Sequence, residues 1–165
     1  MSGFIARPCH DGKSRSMSAL PPELADPLKE LRAKLVEIND SEQTCMTNVV
    51  ASAPQGTSFP KVQAVMAKCR QASAAAATTA INAFRRQCSE ITTQTNSLTT
   101  AAIISATAKN IYNFWAKSES SAAAFASEIA ARLPAQGPDK TTQAINNICG
   151  NRASSINRYF EQLTT

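Results

Sequence analysis

Residues 70–88 read RQASAAAATTAINAFRRQC, a run with seven alanines in nineteen positions and neither glycine nor proline. Alanine is the strongest helix former and both helix breakers are absent, so the run predicts an α-helix. Its small side chains share a narrow sector of that helix, where a neighbouring backbone can approach more closely than leucine would allow. We predict a helix-packing face there, made of Ala72, Ser73, Ala76, Ala80 and Phe84.

An amphipathic helix precedes this run and begins in the sequence LADPLKELRAKLVEIND at residues 24–40. Asp26 is a candidate N-cap and Pro27 a candidate first helical residue. Apolar residues then recur on one face at steps of three, four or seven: Leu24, Leu28, Leu31, Leu35, Ile38, Cys45 and Val49. Two prolines and a glycine within residues 54–60 predict the loop that ends this helix.

The long segment 61–133 contains neither glycine nor proline, so the phase of its apolar residues decides whether it forms one helix or two. One apolar series runs over residues 62–98 and a second over residues 104–133. Extending the second series backwards would put polar residues on the apolar face, namely Gln87, Glu90, Gln94 and Ser97. We therefore predict a turn near residues 93–98, where Thr, Ser and Asn favour caps and turns. One continuous helix with a coiled-coil partner is the alternative.

A fourth helix follows the breaker sequence LPAQGPDK at residues 133–140, with Asp139 or Thr141 as its candidate cap. Its apolar series runs from Ile145 to Leu163. Four amphipathic helices with short connections predict an all-α fold, an antiparallel four-helix bundle. We assign residues 21–165 to this single domain and residues 1–20 to a flexible basic tail.

Charge is unevenly spread over this chain of 165 residues, whose formal net charge is +5. Residues 61–118 hold seven basic groups and one acidic group, whereas residues 20–60 hold six acidic groups and three basic ones. Complementarity between neighbouring helices explains this pattern most simply. The alternative is a nucleic-acid surface on a basic patch of Lys68, Arg70, Arg85 and Arg86. That patch has no interleaved aromatic residue and could offer phosphate contacts only.

Five cysteines, Cys9, Cys45, Cys69, Cys88 and Cys149, are the disulfide candidates. At about 1.5 Å per helical residue, Cys45, Cys69 and Cys149 fall at one end of the bundle. This predicts a bridge from Cys45 to Cys69 or Cys149, with Cys9 to Cys88 as a looser second pairing. The alternative is that the cysteines are reduced, buried thiols that act as small hydrophobic residues. Oxidised cysteines would favour an extracellular location, and reduced ones a cytoplasmic location.

Sequence motifs for catalysis or metal binding are weak. Cys9, His10 and Asp11 are consecutive in the tail, where they cannot hold the geometry of a catalytic triad. His10 is the one histidine in the sequence. The three cysteines expected at one end of the bundle, Cys45, Cys69 and Cys149, are too few for a structural zinc site. We expect no enzyme activity, metal or cofactor. No apolar window is long enough to span a membrane, and the first residues lack the apolar core of a secretory signal.

Three classes of function remain open at this point. The first is a non-enzymatic interaction or structural module, such as a self-assembling subunit or a secreted effector, with a protein partner or a second copy. The second is a carrier that holds lipid or a small apolar ligand between its helices, near a cluster of Ile111, Tyr112, Phe114, Trp115 and Phe125. The third is a coat-type protein that binds nucleic acid through the basic segment 61–118.

Overall fold

Four long helices make up the computed structural model, which describes residues 20–53, 57–95 and 98–164. They are α1 (Ala25–Ser52), α2 (Phe59–Thr95), α3 (Leu98–Gln136) and α4 (Pro138–Thr164). A short 3₁₀ turn, Pro22–Leu24, precedes α1. No strand occurs within the described ranges, so the all-α prediction is confirmed. The predicted flexible tail, apart from Leu20, lies outside these ranges.

The helices form a bundle in which each packs against the next along the chain and α4 returns to α1. Helices α1 and α4 run in opposite directions. Arg32, early in α1, bonds to Asn157, late in α4, and Gln43, later in α1, bonds to Asn146, earlier in α4. Similar pairs join the other helices, namely Glu30 with Gln87, Gln63 with Ser127, and Phe114 with Tyr159. Short connections between long amphipathic helices produce this arrangement.

The alanine-rich helix and the helix after it are separate, as the phase of the apolar residues predicted. Within the described residues α2 ends at Thr95 and α3 begins at Leu98. Gln63 of α2 bonds to Ser127 of α3, so the chain reverses between these helices and one continuous helix is excluded. Residues 96 and 97, inside the predicted turn, lie outside the described part of the chain. The loop predicted near residues 52–60 is also present: α1 ends at Ser52, α2 begins at Phe59, and residues 53, 57 and 58, which are described between them, are not helical.

The predicted helix boundaries were wrong at the start of α1, at the end of α3 and at the start of α4. Helix α1 begins at Ala25 with Leu24 as its N-cap, so Asp26 lies in the first turn and caps nothing. Helix α3 continues past Pro134 and ends at Gln136. The residue that follows, Gly137, has φ 82° and ends the helix. The amide of Gly137 donates to the carbonyl of Leu133 at 3.0 Å, in the manner of a left-handed C-cap.

At the start of α4, Gly137 also takes the place expected for a side-chain cap. The helix begins at Pro138, so Asp139 and Thr141 both lie inside it. Thr141 is buried, and its hydroxyl donates to the carbonyl of Gly137 at 2.8 Å. The sharp connection between α3 and α4 therefore depends on one glycine with positive φ.

Two apolar clusters fill the bundle, one towards each end. The first holds the residues around Leu28, Phe84, Ile111 and Phe160, and the second those around Met46, Met66, Ile129 and Ile145. Each helix carries a buried polar or charged residue between the two clusters in sequence: Asn39 and Glu42, Ser73, Glu119, and Arg152. Two further buried polar residues, Thr107 and Thr141, lie outside this level. The core is thus divided by a polar layer. No helix in the described ranges is both long and apolar enough to span a membrane.

Candidate functional site

A ring of four charged side chains crosses the centre of the bundle, one from each helix. Glu42 of α1 accepts a hydrogen bond from Nη1 of Arg152 on α4 at 3.1 Å, and Arg152 Nη2 lies 3.4 Å from Oε2 of Glu119 on α3. Arg70 of α2 completes the ring, with nitrogens 3.6 Å from Glu42 and 3.5 Å from Glu119. Positive and negative groups alternate, so we name Glu42, Arg70, Glu119 and Arg152 the charge layer.

The charge layer is almost fully removed from water. The side chain of Glu42 is 1% exposed and that of Arg152 is 7% exposed. The charges of two carboxylates and two guanidinium groups cancel, so the charge layer can lie in a weakly polar interior. Removing any one member would leave a buried charge without its partner.

Further contacts hold the charge layer in position. The guanidinium carbon of Arg152 lies 4.2 Å from the centre of the Trp115 ring, within the range of a cation–π interaction. Nη2 of Arg70 donates to the backbone carbonyl of Glu119 as well as facing its carboxylate. Asn39 donates to the backbone carbonyl of Cys149 at 3.0 Å and so ties α1 to α4 beside the layer.

Burial also changes the acidity of Glu119. Loss of solvent raises the pKa of this carboxyl above its ordinary value of 4.5, and the nearby Glu42 carboxylate raises it further. Arg152 and Arg70 act in the opposite direction and lower it. Several polar atoms of this region have no hydrogen-bond partner among the described residues: Asn39 Oδ1, Arg70 Nη1, Ser73 Oγ, Trp115 Nε1, Glu119 Oε1 and Arg152 Nε.

The structure pairs Cys45 with Cys69, one of the two partners that helix heights predicted. Their Cα atoms are 5.8 Å apart, and the bridge joins the end of α1 to the start of α2. Cys88 and Cys149 are free and buried, so neither is a disulfide partner. Burial raises the pKa of both thiols to about 11. Cys9, the other half of the looser predicted pairing, lies outside the described residues.

The predicted helix-packing face divides into three parts. Ser73 and Phe84 are buried in the bundle, and Ala76 and Ala80 are partly buried against the first apolar cluster. Ala72 is exposed and does not pack, which corrects that prediction. Ala77, in the same run, is 1% exposed and belongs to the core instead.

The predicted aromatic cluster is only partly brought together. Ile111 and Trp115 are buried, and Phe114 stacks on Tyr159 of α4 with ring centres 4.3 Å apart. Tyr112 is 49% exposed, because one residue after Ile111 the helix has turned by about 100°. The side chain of Phe125 lies outside the described part of the structure.

The predicted basic patch does not form one surface. Arg70 belongs to the charge layer, with its side chain 13% exposed and engaged by two carboxylates. Lys68, Arg85 and Arg86 are exposed on α2. Because Arg70 is engaged inside the bundle, its charge is not available as part of a free phosphate-binding patch.

The acidic members of the charge layer were missed in the sequence. The apolar series on α1 has a step of seven from Ile38 to Cys45, and Glu42 lies within that step. Glu119 lies four residues after Trp115, on the apolar face of α3. The signal that could have found them is a charged residue in phase with an apolar stripe on each of several helices.

Surface grooves lie between neighbouring helices, three of them beside the residues described above. The first, the α1–α2 groove, encloses about 430 Å³, and the second, the α3–α4 groove, about 380 Å³. A third groove of about 350 Å³ lies between α2 and α3 beside Arg70 and Glu119. Among the described residues, no group of three or more His, Cys, Asp or Glu side chains is placed to hold a metal ion.

Comparisons with protein-family models, with curated proteins and with solved structures found no match to this chain.

Proposed function

We propose that this protein is a non-enzymatic helical interaction module that associates with a second copy of itself through the α1–α2 groove. The observation that carries the proposal is that the alanine-rich run forms both one wall of this groove and a charge-free outer face beside it. The two apolar clusters and the charge layer, by contrast, hold the four helices to one another.

The floor of the α1–α2 groove is apolar and its rim is polar. Leu31 and Phe84 lie at the floor, with Ala76 and Ala80 along the wall that α2 provides. Alanine side chains let the backbone of an incoming helix come close, which increases its contact with both walls. An apolar groove between two helices is a surface on which one face of a third helix can pack.

The outer face of α2 beside the groove carries no charge over fourteen consecutive residues, Gln71 to Phe84. Its exposed members are small or uncharged: Gln71, Ala72, Ala74, Ala75, Thr78, Thr79, Asn82 and Ala83. The outward face of a solvated helix usually carries charged residues. A charge-free face of this length is typical of a surface that another protein covers.

A second copy is the occupant that the charges of the groove favour. Its rim carries Glu30 and Lys34, which have opposite signs and lie one helical turn apart on α1. In a two-fold symmetric contact the same patch meets itself, so a patch must carry both signs to be complementary to itself. The exposed ridge of Thr79 and Ala83 on one copy can then enter the groove of the other.

The two alternative functions have less support. A carrier that opened its helices around a lipid would have to bring apolar chains past the charge layer, which divides the interior. A nucleic-acid surface would have to form without Arg70. An interaction module requires neither change.

Sedimentation velocity over a range of protein concentrations tests the proposal. Ala83→Arg places a charge in the groove at an exposed position, so the fold should persist while the dimer is lost. Ala106→Arg, at an exposed alanine on α3 outside this groove, is the matched control and should sediment as the wild type does. A wild-type chain that stays monomeric up to millimolar concentration, or two variants that behave alike, would refute the proposal.

A further inference from the structure

The groove between α3 and α4 lies on the opposite side of the bundle from the proposed dimer contact. We propose that it binds a small organic phosphate, with the phosphate held by Lys117, Asn151 and serine hydroxyls and the organic group against Phe114. This site is independent of self-association.

The lining of the α3–α4 groove is rich in groups that bind oxyanions. It is formed by Phe114, Lys117, Ser118, Ser121, Ile148, Asn151, Arg152 and Ser155. Two of these residues are cationic, three carry hydroxyls, one carries an amide, and none carries a carboxylate. Phosphate oxygens accept hydrogen bonds from all three kinds of donor, and basic side chains supply the opposite charge.

Arg152 lines the groove but supplies no contact to the phosphate. Its two terminal nitrogens are engaged by Glu42 and Glu119 inside the bundle, and its Nε is buried. Its charge is therefore taken up within the charge layer, as that of Arg70 is. The donors left for a ligand are those of Lys117, Asn151 and the three serines.

Lys117 provides the net positive charge of the groove. Arg152 is balanced by the carboxylates of the charge layer, whereas Lys117 is exposed and has no ion pair with a described residue. Lys117 on α3 and Asn151 and Ser155 on α4 line the same groove, so the two helices present their donors to one space.

The apolar part of the lining decides between free phosphate and an organic phosphate. Phe114 and Ile148 contribute a hydrophobic wall, and Phe114 is held by its stack on Tyr159. A volume of about 380 Å³ is larger than one phosphate ion needs. An aromatic or aliphatic group attached to the phosphate would occupy the remaining space against this wall.

Calorimetric titration of the full chain with phenyl phosphate, inorganic phosphate and phenol tests the site. Phenyl phosphate should bind saturably and more tightly than inorganic phosphate, and phenol should not bind. Its affinity should fall as salt is added, since the exposed Lys117 is screened. Failure of phenyl phosphate to saturate at millimolar concentration, or equal binding of phenyl phosphate and phenol, would overturn the proposal.

Two pairs of variants locate the site without disturbing the charge layer. Lys117→Gln should weaken phenyl phosphate binding about tenfold, the scale of one lost charge-assisted hydrogen bond, whereas the exposed Lys109→Gln on the same helix should leave it unchanged. Ser121→Leu should fill the groove and abolish binding, whereas Ser120→Leu, exposed but outside the lining, should not. Equal effects within either pair would place binding elsewhere and contradict the proposal. Because Ala83→Arg leaves this groove intact, loss of the dimer and loss of phosphate binding are separable results.

Discussion

Arg152 lies with its guanidinium over the Trp115 ring, 4.2 Å from the ring centre, while its terminal nitrogens reach carboxylates on two other helices. One side chain of α4 thereby contacts groups on α1 and α3 at the same level. The alanine side chains of α2 interlock weakly with the neighbouring helices, so they do not fix the position of those helices along the axis of α2. The charge layer supplies that register, because a shift of one turn would leave four buried charges unpaired.

Glu42→Gln should be one of the most destabilising changes in the bundle. It keeps the shape of the side chain but leaves Arg70 and Arg152 with one carboxylate fewer in a buried site. Breaking a buried ion pair from one side costs about 3–5 kcal/mol of unfolding free energy, which urea denaturation can measure.

The matched control for that change is Glu37→Gln, also on α1. Glu37 pairs with Lys34 at 2.9 Å, but both side chains are more than half exposed. Its loss should cost about 0.5 kcal/mol or less. Equal costs for Glu42→Gln and Glu37→Gln would show that the charge layer does not stabilise the fold.

The raised pKa of Glu119 should make the unfolding free energy depend on pH. Burial places its folded-state pKa above the ordinary 4.5, so folding favours the protonated acid. The stability that this group contributes is therefore fully present below pH 4.5 and is lost as the pH rises through the folded-state pKa. Relative to Glu119→Gln, the wild type should lose unfolding free energy over that rise. A difference that grows in favour of the wild type would contradict the raised pKa.

Cys45→Ser should lower the unfolding free energy by about 3 kcal/mol, because the bridge to Cys69 closes a loop of moderate length in the unfolded chain. In native protein at pH 8, Cys88 and Cys149 should resist alkylation, since both thiols are buried and their pKa is raised to about 11. Mass spectrometry after unfolding without reductant should show Cys45 and Cys69 unmodified. Alkylation of all five thiols would show that the bridge is absent.

Ala76→Leu should destabilise the fold by about 1–3 kcal/mol, because the larger side chain must fit where Ala76 packs against the first apolar cluster. Reversing the charges of Arg85 and Arg86 should change stability little, since both are exposed. Thermal unfolding of the two variants compares them directly. Larger destabilisation by the charge reversal would mean that the exposed arginines, not the alanine wall, hold α2 in place.

The number of helices, their separation near residue 95 and a bridge at the level of Cys45 could be predicted from the sequence. These features depend on periodicity and on distance along a helix, which a single sequence records. The choice of Cys69 over Cys149 as the partner of Cys45 could not be made in this way, because both lie at the same end of the bundle. The charge layer could not be predicted in the same way. Glu42 interrupts an apolar stripe and Arg70 resembles a surface cation until three other helices bring their charges to the same level. Its partners are defined by packing, and no local pattern encodes that packing.

Cysteine cross-linking tests the central claim, self-association through the α1–α2 groove, most directly. Thr79→Cys, in a chain that also carries Cys9→Ser, places an exposed thiol on the proposed ridge, while Cys88 and Cys149 remain buried. Mild oxidation at micromolar concentration should give a disulfide-linked dimer, and the same background with Ala106→Cys on α3 should give none. Absence of dimer from Thr79→Cys, or equal amounts from both variants, would contradict the account.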